Sequence, residues 1–372
     1  MHPFDSPFGV LHLERYPPDA SGRLRAHDGA DLLILEEYAD LRHRLPARPR
    51  VLVLGDQHGA LTTALTSVAD VTAYGDSELA ARAAEANLRA AGRSASVRRG
   101  LPVGGDYDVV LARVPKSLGL LAAQLAALSG QLAAGMPFVA GAMTKHLSRG
   151  ANDVISRYIG DVTPSLGRHK ARLLRAAADP SRCADPPQPT TYEVPGRGIT
   201  LTTLPGAYAG ERLDQGARVL LDHLPTGLGS AAVADLGCGN GVLAITSAAD
   251  NPQAAYTLVD ESSQAIESAR IGWGAAHPGR DADFALTDGL SDAEPGEYDV
   301  VLCNPPFHQG FAVEPAVAQR LLAQAHRALR PGGELYVVGN RHLDHGAFLR
   351  RRFASVRELA ATPKFTVHVA TR

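Results

Sequence analysis

Eleven residues beginning at Val51 (V-L-V-L-G-D-Q-H-G-A-L) align without a gap on eleven beginning at Val233 (V-A-D-L-G-C-G-N-G-V-L), at an offset of 182. Tyr107-Asp108-Val109-Val110-Leu111 returns as Tyr298-Asp299-Val300-Val301-Leu302 at an offset of 191, and Gly135 returns as Gly332 at 197. An offset that grows in small steps is what loop insertions leave in a duplicated domain. Two unrelated domains sharing only a pattern are the alternative. Within each half, short apolar runs alternate with glycine turns and helical stretches, the pattern of a doubly wound, mostly parallel sheet. The expected fold is therefore α/β, two tandem domains from internal duplication, each closed by antiparallel pairing.

At 372 residues the chain is long for one compact domain. Asp179 to Pro189 (D-P-S-R-C-A-D-P-P-Q-P) carries four prolines, which exclude a helix or central strand. The boundary is placed there, giving domains 1–185 and 186–372. In the second half, strands are expected at Ala232–Leu236, Ala255–Val259, Phe284–Leu286, Tyr298–Cys303 and Glu334–Gly339. Helices are expected from Val242, over Ser262–Ala269 and over Pro315–Leu329, with a closing pair of strands within Arg352–Thr371.

Composition excludes some classes. Apolar residues make 45% and charged residues 20%, ordinary for a globular chain rather than a disordered one. No basic stretch followed by an apolar core opens the sequence, and the longest apolar run, Gly119 to Leu128, is short and broken by Gln124. Cys183, Cys238 and Cys303 fit neither a zinc site nor a disulfide framework, so a reducing cytoplasm is expected, with no metal and no membrane partner. Net charge is −2, so an RNA partner has to be gripped by local patches.

Asp235-Leu-Gly237-Cys-Gly239-Asn-Gly241 lies between a strand and a helix. Glycines allow a sharp turn and close approach of a ligand, and the helix N-terminus beyond favours a carboxylate. The G-x-G-x-G spacing, with an acid two residues ahead, is similar to motif I of class I methyltransferases. It differs from the G-x-G-x-x-G of dinucleotide-binding folds. Asp260, ending the second strand, suits the ribose hydroxyls of an adenosyl group, and Asp288, after the third, suits an adenine amino group.

Asn304-Pro305-Pro306-Phe307 follows the fourth strand. An exocyclic amine on an aromatic ring is a poor nucleophile because its lone pair is delocalised. The Asn304 side-chain oxygen and the Pro305 carbonyl can hold the amine hydrogens and aim that lone pair, catalysis by positioning with electrostatic help. The prolines stiffen the turn, and Phe307 offers a face on which an unstacked base can rest.

Together with V-D-E-S at Val259 and G-N-R-H-L-D at Gly339, these motifs resemble the ribosomal RNA guanine 2-amino methyltransferases. Within these, the chain is most similar to the methyltransferase G group, which acts on large-subunit rRNA; the methyltransferase C group, which acts on small-subunit rRNA, is a cousin. The resemblance extends to R-V-P-K-S-L at Arg113 and A-G-A-M-T-K-H-L at Ala140. It implies S-adenosylmethionine as cofactor, a guanine of 23S rRNA as substrate, and Tyr208 and Asp214 as cofactor contacts. At Tyr208-Ala209 the family usually has Phe-Ser, so the contacts of that loop transfer least safely. Guanine itself rests on the resemblance; N-P-P-F suits the amines of adenine and cytosine equally.

The first half lacks the chemistry: Val53 stands for Asp235, Gln57 for Gly239, Gly75 for Asp260, and Arg113-Val-Pro-Lys116 for N-P-P-F. An arginine cannot accept hydrogens from an amine. It reads as a degenerate copy kept for RNA binding or support, with Arg89, Arg93, Arg98 and Arg99, and Arg168, Lys170 and Arg172, as candidate phosphate contacts. Arg341, Arg350, Arg351, Arg352, Arg357 and Lys364 are the candidates in the second half. Three rivals remain: a 16S rRNA methyltransferase, a protein glutamine-amide methyltransferase, which shares N-P-P, and a non-catalytic RNA-binding assembly factor.

Overall fold

The computed structural model describes all residues except 1, 20–21, 209–211, 307–313 and 344, and the backbone alone at 2, 314 and 315. It divides into two compact units, Met1–Gln188 and Pro189–Arg372.

Unit 1 opens with a hairpin, β1 (His2–Ser6) and β2 (Gly9–Leu13), followed by α1 (Gly29–Leu41). Then come β3 (Arg50–Leu54), α2 (Ala60–Leu65), β4 (Asp70–Gly75), α3 (Glu78–Ala90), β5 (Ser96–Arg99), β6 (Val109–Arg113), α4 (Leu118–Ala126) and β7 (Pro137–Met143). α5 (Ala151–Tyr158), β8 (Thr163–Pro164) and β9 (Ala171–Ala177) complete it. The strand order is β5-β4-β3-β6-β7-β9-β8, parallel from β5 to β7 and antiparallel beyond.

Unit 2 opens with the hairpin β10 (Thr190–Val194) and β11 (Ile199–Thr203), then α6 (Gln215–Leu221), β12 (Ala232–Leu236), α7 (Val242–Asp250), β13 (Ala255–Asp260) and α8 (Ser263–Ala276). β14 (Asp283–Leu286), β15 (Tyr298–Cys303), α9 (Glu314–Ala328), β16 (Leu329–Asn340), α10 (His345–Arg350), β17 (Ser355–Ala361) and β18 (Phe365–Thr371) follow. Its order, β14-β13-β12-β15-β16-β18-β17, repeats that of unit 1 strand for strand. The closing strands are a pair in which β18 enters between β16 and β17.

The central strands are mostly apolar because helices cover both faces, Asp235 of β12 being a buried exception. In β3, Val51 and Val53 join one buried cluster and Leu52 and Leu54 another. In β12, Val233 faces the cluster holding Leu258 and Trp273, while Ala234 and Leu236 face that holding Leu322 and Leu335. Serine and aspartate side chains start the helices: Ser77, Ser117 and Ser262 each accept an amide hydrogen of the first turn, as do Asp28 and Asp214.

Helix α8 runs seven residues past the expected stop at Ala269. Gly272 ends nothing: a Cβ there would lie 3.0 Å from Ile245 Cδ1 and 3.4 Å from Leu201 Cδ2, so the glycine serves close packing.

Candidate active site

In both sheets the chain reverses its direction of travel across the sheet at the centre, between β12 and β15 in unit 2. Open α/β sheets bind ligands beyond the carboxyl ends of the strands at that switch point. Asp235 lies within β12 next to its carboxyl end and the glycine loop follows that strand, Asp260 ends β13, Asp288 follows β14 and Asn304 follows β15.

Gly237, Gly239 and Gly241 have φ of 72°, 55° and 82°, a left-handed region that strains residues with a Cβ. Their surroundings differ. A Cβ on Gly237 would meet no described atom within 4 Å, and one on Gly239 would meet only the Tyr208 carbonyl oxygen at 4.0 Å. On Gly241 it would press on Ile245, Leu258 and Ala269 at 3.0–3.2 Å. Among the described residues the first two glycines face open space, and the third lets α7 sit close to α8.

Asp235 is wholly buried. Its Oδ2 accepts the Ala244 amide hydrogen in the first turn of α7 (2.9 Å), and its Oδ1 has no hydrogen-bond partner among the described residues. Burial pushes its pKa up to about 7, with the Ala244 hydrogen bond opposing and the charge of Asp260 adding to the rise. Asp260 is half-buried; Oδ2 accepts from the Gly239 amide and Oδ1 from the Ser262 amide, both at 2.9 Å. Those bonds aim the carboxylate at the end of β13. Asp288 is buried and ion-paired with Arg320 of α9, a residue that no sequence motif singled out.

Asn304 donates from Nδ2 to Asp214 Oδ2 at 3.1 Å. Its Oδ1 is buried and has no partner among the described residues. Pro305 is buried and Pro306 exposed; Phe307 lies outside the described residues. Asp214 caps α6, its Oδ2 accepting the Ala217 amide hydrogen at 2.9 Å. Tyr208, 43% exposed, lies beside the same carboxylate; partial burial, then the charge of Asp214, raise its pKa. The two residues given to the cofactor by resemblance thus meet Asn304 through Asp214.

Two further polar residues were not singled out by the sequence reading. Asn240 is buried, its amide donating to the Tyr192 hydroxyl at 2.9 Å and to Thr203 Oγ1 at 3.0 Å, which ties the β10–β11 hairpin to the glycine loop. Asn340, which the sequence shows only as part of a longer motif, ends β16 with a buried Oδ1 that has no partner among the described residues.

In unit 1 the corresponding positions are tied up in hydrogen bonds and ion pairs of their own. Asp56 accepts from the Gly59 amide (3.1 Å) and from both the amide and the hydroxyl of Thr62 (2.7 Å each). Arg113, 6% exposed, makes two hydrogen bonds of 2.9 Å to Asp28 and a further ion pair with Asp31. Among the candidate phosphate contacts, Arg99 is held by Glu78 (2.8 Å) and Glu85 (2.5 Å), Arg93 by the Thr63 carbonyl (2.6 Å), and Arg168 by Glu36 (3.1 Å). Lys364 donates to Gln215 at 3.2 Å.

Two family models match: the RLMG N-terminal domain over residues 1–180 and the methyltransferase small domain over 198–369. A Pseudomonas fluorescens (strain Pf0-1) protein, "Ribosomal RNA large subunit methyltransferase G", is 48% identical over 367 residues, 98% of each chain. The chain belongs to the ribosomal RNA large subunit methyltransferase G family. A relative of the same name from Pseudomonas entomophila (strain L48) is 47% identical over 368 residues, again 98% of each chain. Among solved structures, a Thermus thermophilus 16S rRNA N2 G1207 methyltransferase, in complex with AdoMet and guanosine, superposes with a TM-score of 0.77 at 23% identity. The match covers 100% of this chain and 97% of that one, and it extends the likeness in fold over both units. No helix of the described residues is long and apolar enough to cross a membrane.

Proposed function

We propose that this chain methylates the exocyclic 2-amino group of a guanine in 23S rRNA, with unit 2 as the catalytic domain and unit 1 as a degenerate copy that serves RNA binding. The observation that carries the reading is Asn304: its amide nitrogen is engaged by a carboxylate while its buried oxygen lacks a partner among the described residues. A buried acceptor left unpaired costs stability, and an amine hydrogen of the target base satisfies it.

The residues present fit S-adenosylmethionine. Among the described residues Gly237 and Gly239 face open space at the switch point, and the Asp260 carboxylate, held by the Gly239 amide, stands beside them where the ribose hydroxyls of the cofactor would need acceptors. When bound, the cofactor supplies an electrophilic methyl group on a sulfonium centre. Asn304 Oδ1 and the Pro305 carbonyl then hold the two hydrogens of the guanine amine and direct its lone pair. Asp235 acts beneath this surface, fixing the start of α7. Asp288, oriented by Arg320, would serve the adenine amino group. Stacking of the base falls to Phe307, as its place in the N-P-P-F run suggests. The family's name points to rRNA of the large ribosomal particle as substrate, and the enzyme works in the cytoplasm with the ribosome.

Mass mapping of 23S and 16S rRNA from cells lacking the gene tests this. One guanine methyl group missing from 23S rRNA, restored by the parent gene but not by Asn304→Ala, is expected. A loss in 16S rRNA, or none in either, would overturn the assignment.

A further inference from the structure

We infer that Asp214 is a positioning residue for Asn304, fixing its amide so that the oxygen and not the nitrogen faces the target amine. This rests on the amine-holding role proposed above.

The two ends of a carboxamide have nearly the same shape, so packing alone does not decide which one points where. Chemically they are opposites. The oxygen accepts an amine hydrogen, whereas the NH2 group repels it. A rotated Asn304 would fill the site equally well and be useless there. Asp214 removes the ambiguity, because a carboxylate only accepts. Its Oδ2, 3.1 Å from Nδ2, admits the nitrogen alone, and Oδ1 is left to face away from it.

The carboxylate is itself firmly mounted. The Ala217 amide holds it at 2.9 Å as the cap of α6. Unit 1 shows that the fold builds this contact and the residue types give it a use. Asp28 caps α1 as Asp214 caps α6, and Arg113 stands at the offset of 191 that relates Tyr107 to Tyr298, so it is the counterpart of Asn304. There the aspartate meets a side chain with no acceptor, and the pair ends as an ion pair. In unit 2 the same geometry orients an amide.

Two substitutions in the full chain separate orientation from helix capping. Asp214→Ser keeps a side-chain oxygen for the Ala217 amide, since serine caps helices as well as aspartate, but is too short to reach Asn304. Asp214→Asn keeps an oxygen at the Oδ2 position for both partners. Turnover is measured on rRNA from cells lacking the gene, beside S-adenosylmethionine affinity by calorimetry and the melting temperature. For Asp214→Ser, kcat is expected to fall by roughly 10- to 100-fold, the scale of a misplaced catalytic group. Its RNA KM and cofactor Kd should stay within about twofold of the parent. Asp214→Asn should recover most of the turnover.

Three results overturn the inference: unchanged kcat in Asp214→Ser; a loss matched by weaker cofactor binding, which makes Asp214 a cofactor contact; or Asp214→Asn as impaired as Asp214→Ser. Asn304→Ala in the same assay tells the two levels apart. If it stays active, the amine-holding role itself is wrong; if it is inactive while Asp214→Ser is active, only the role of Asp214 falls.

Discussion

Asp56 and Asp235 hold equivalent amides from inequivalent positions. Thr62 and Ala244 correspond at the offset of 182, each three residues past a left-handed glycine that starts a helix, and each donates its backbone N–H to a carboxylate. In unit 2 the carboxylate comes from within β12; in unit 1 that place is Val53, and the acid arrives three residues later, where unit 2 has Cys238. Both units thus place a carboxyl group against the open amides of a buried helix start, from different positions in the sequence.

Replacing Asn304 by alanine should abolish methyl transfer while leaving S-adenosylmethionine affinity within about twofold, since a pure positioning group acts on the chemical step. Calorimetry beside a methyl-transfer assay checks both halves. Weakened cofactor binding would show that Asn304 holds the cofactor.

Asp260→Ala should weaken cofactor binding by about 1–3 kcal/mol, the cost of lost hydrogen bonds to a charged acceptor. Gly75→Ala, at the matching position of unit 1, should change nothing, because its Cβ would enter space free of described atoms within 4 Å. Two cofactor molecules per chain in the titration would contradict a single live site.

Burial lifts Asp235 to about 7. Between the unfolded value near 4 and that folded value, the folded chain binds the extra proton. Stability from this residue is therefore complete below about pH 4 and declines as pH rises towards 7. Asp235→Asn keeps an oxygen for Ala244 and cannot ionise, so its urea midpoint should decline less over pH 4.5–7. Parallel curves for parent and variant would mean that Asp235 is charged throughout. Asp56, raised to about 6 by burial and the charge of Asp31, adds a decline of the same sign in unit 1.

Arg113→Ala should destabilise unit 1 by about 3–5 kcal/mol, because it strands two carboxylates that share one cation. Differential scanning calorimetry of the full chain would show one transition moved down. An unmoved profile would mean that water replaces the guanidinium at no cost.

If unit 1 grips RNA, a chain beginning at Pro189 should retain S-adenosylmethionine binding and bind rRNA more weakly, with a shallower dependence on salt. Arg98→Glu in the full chain should show a milder form. Arg99 is unsuited to that test because Glu78 and Glu85 already hold it. Unchanged affinity and slope in the shortened chain would leave RNA binding to unit 2 alone.

The sheet was legible in the sequence because local rules govern it: β12 and β15 stand where apolar runs meet turn residues, and the glycines where the turn needs positive φ. The β10–β11 hairpin was missed beside a proline-rich boundary, although P-G-R-G between runs of threonine is a turn signal. Helix α6 is seven residues long, too short for periodicity to reveal. What the sequence could not disclose were partners. Asn304 and Asp214 lie 90 residues apart, and Asp288 and Arg320 lie 32 apart; no spacing rule joins residues that only the folded sheet brings together.

The ion cluster around Arg113 also sets what unit 1 can become by mutation. Asparagine at 113 alone would strand Asp31, which is almost fully enclosed. A neutral residue at 31 alone would leave no acceptor ready for an amine while Arg113 stayed. A cofactor site would further need a glycine at 57 and an acid at 75. Each single step costs stability or gains nothing, so no one substitution restores the site. The cluster thus ties the stability of unit 1 to the very position at which a methyl-transfer site would need its asparagine.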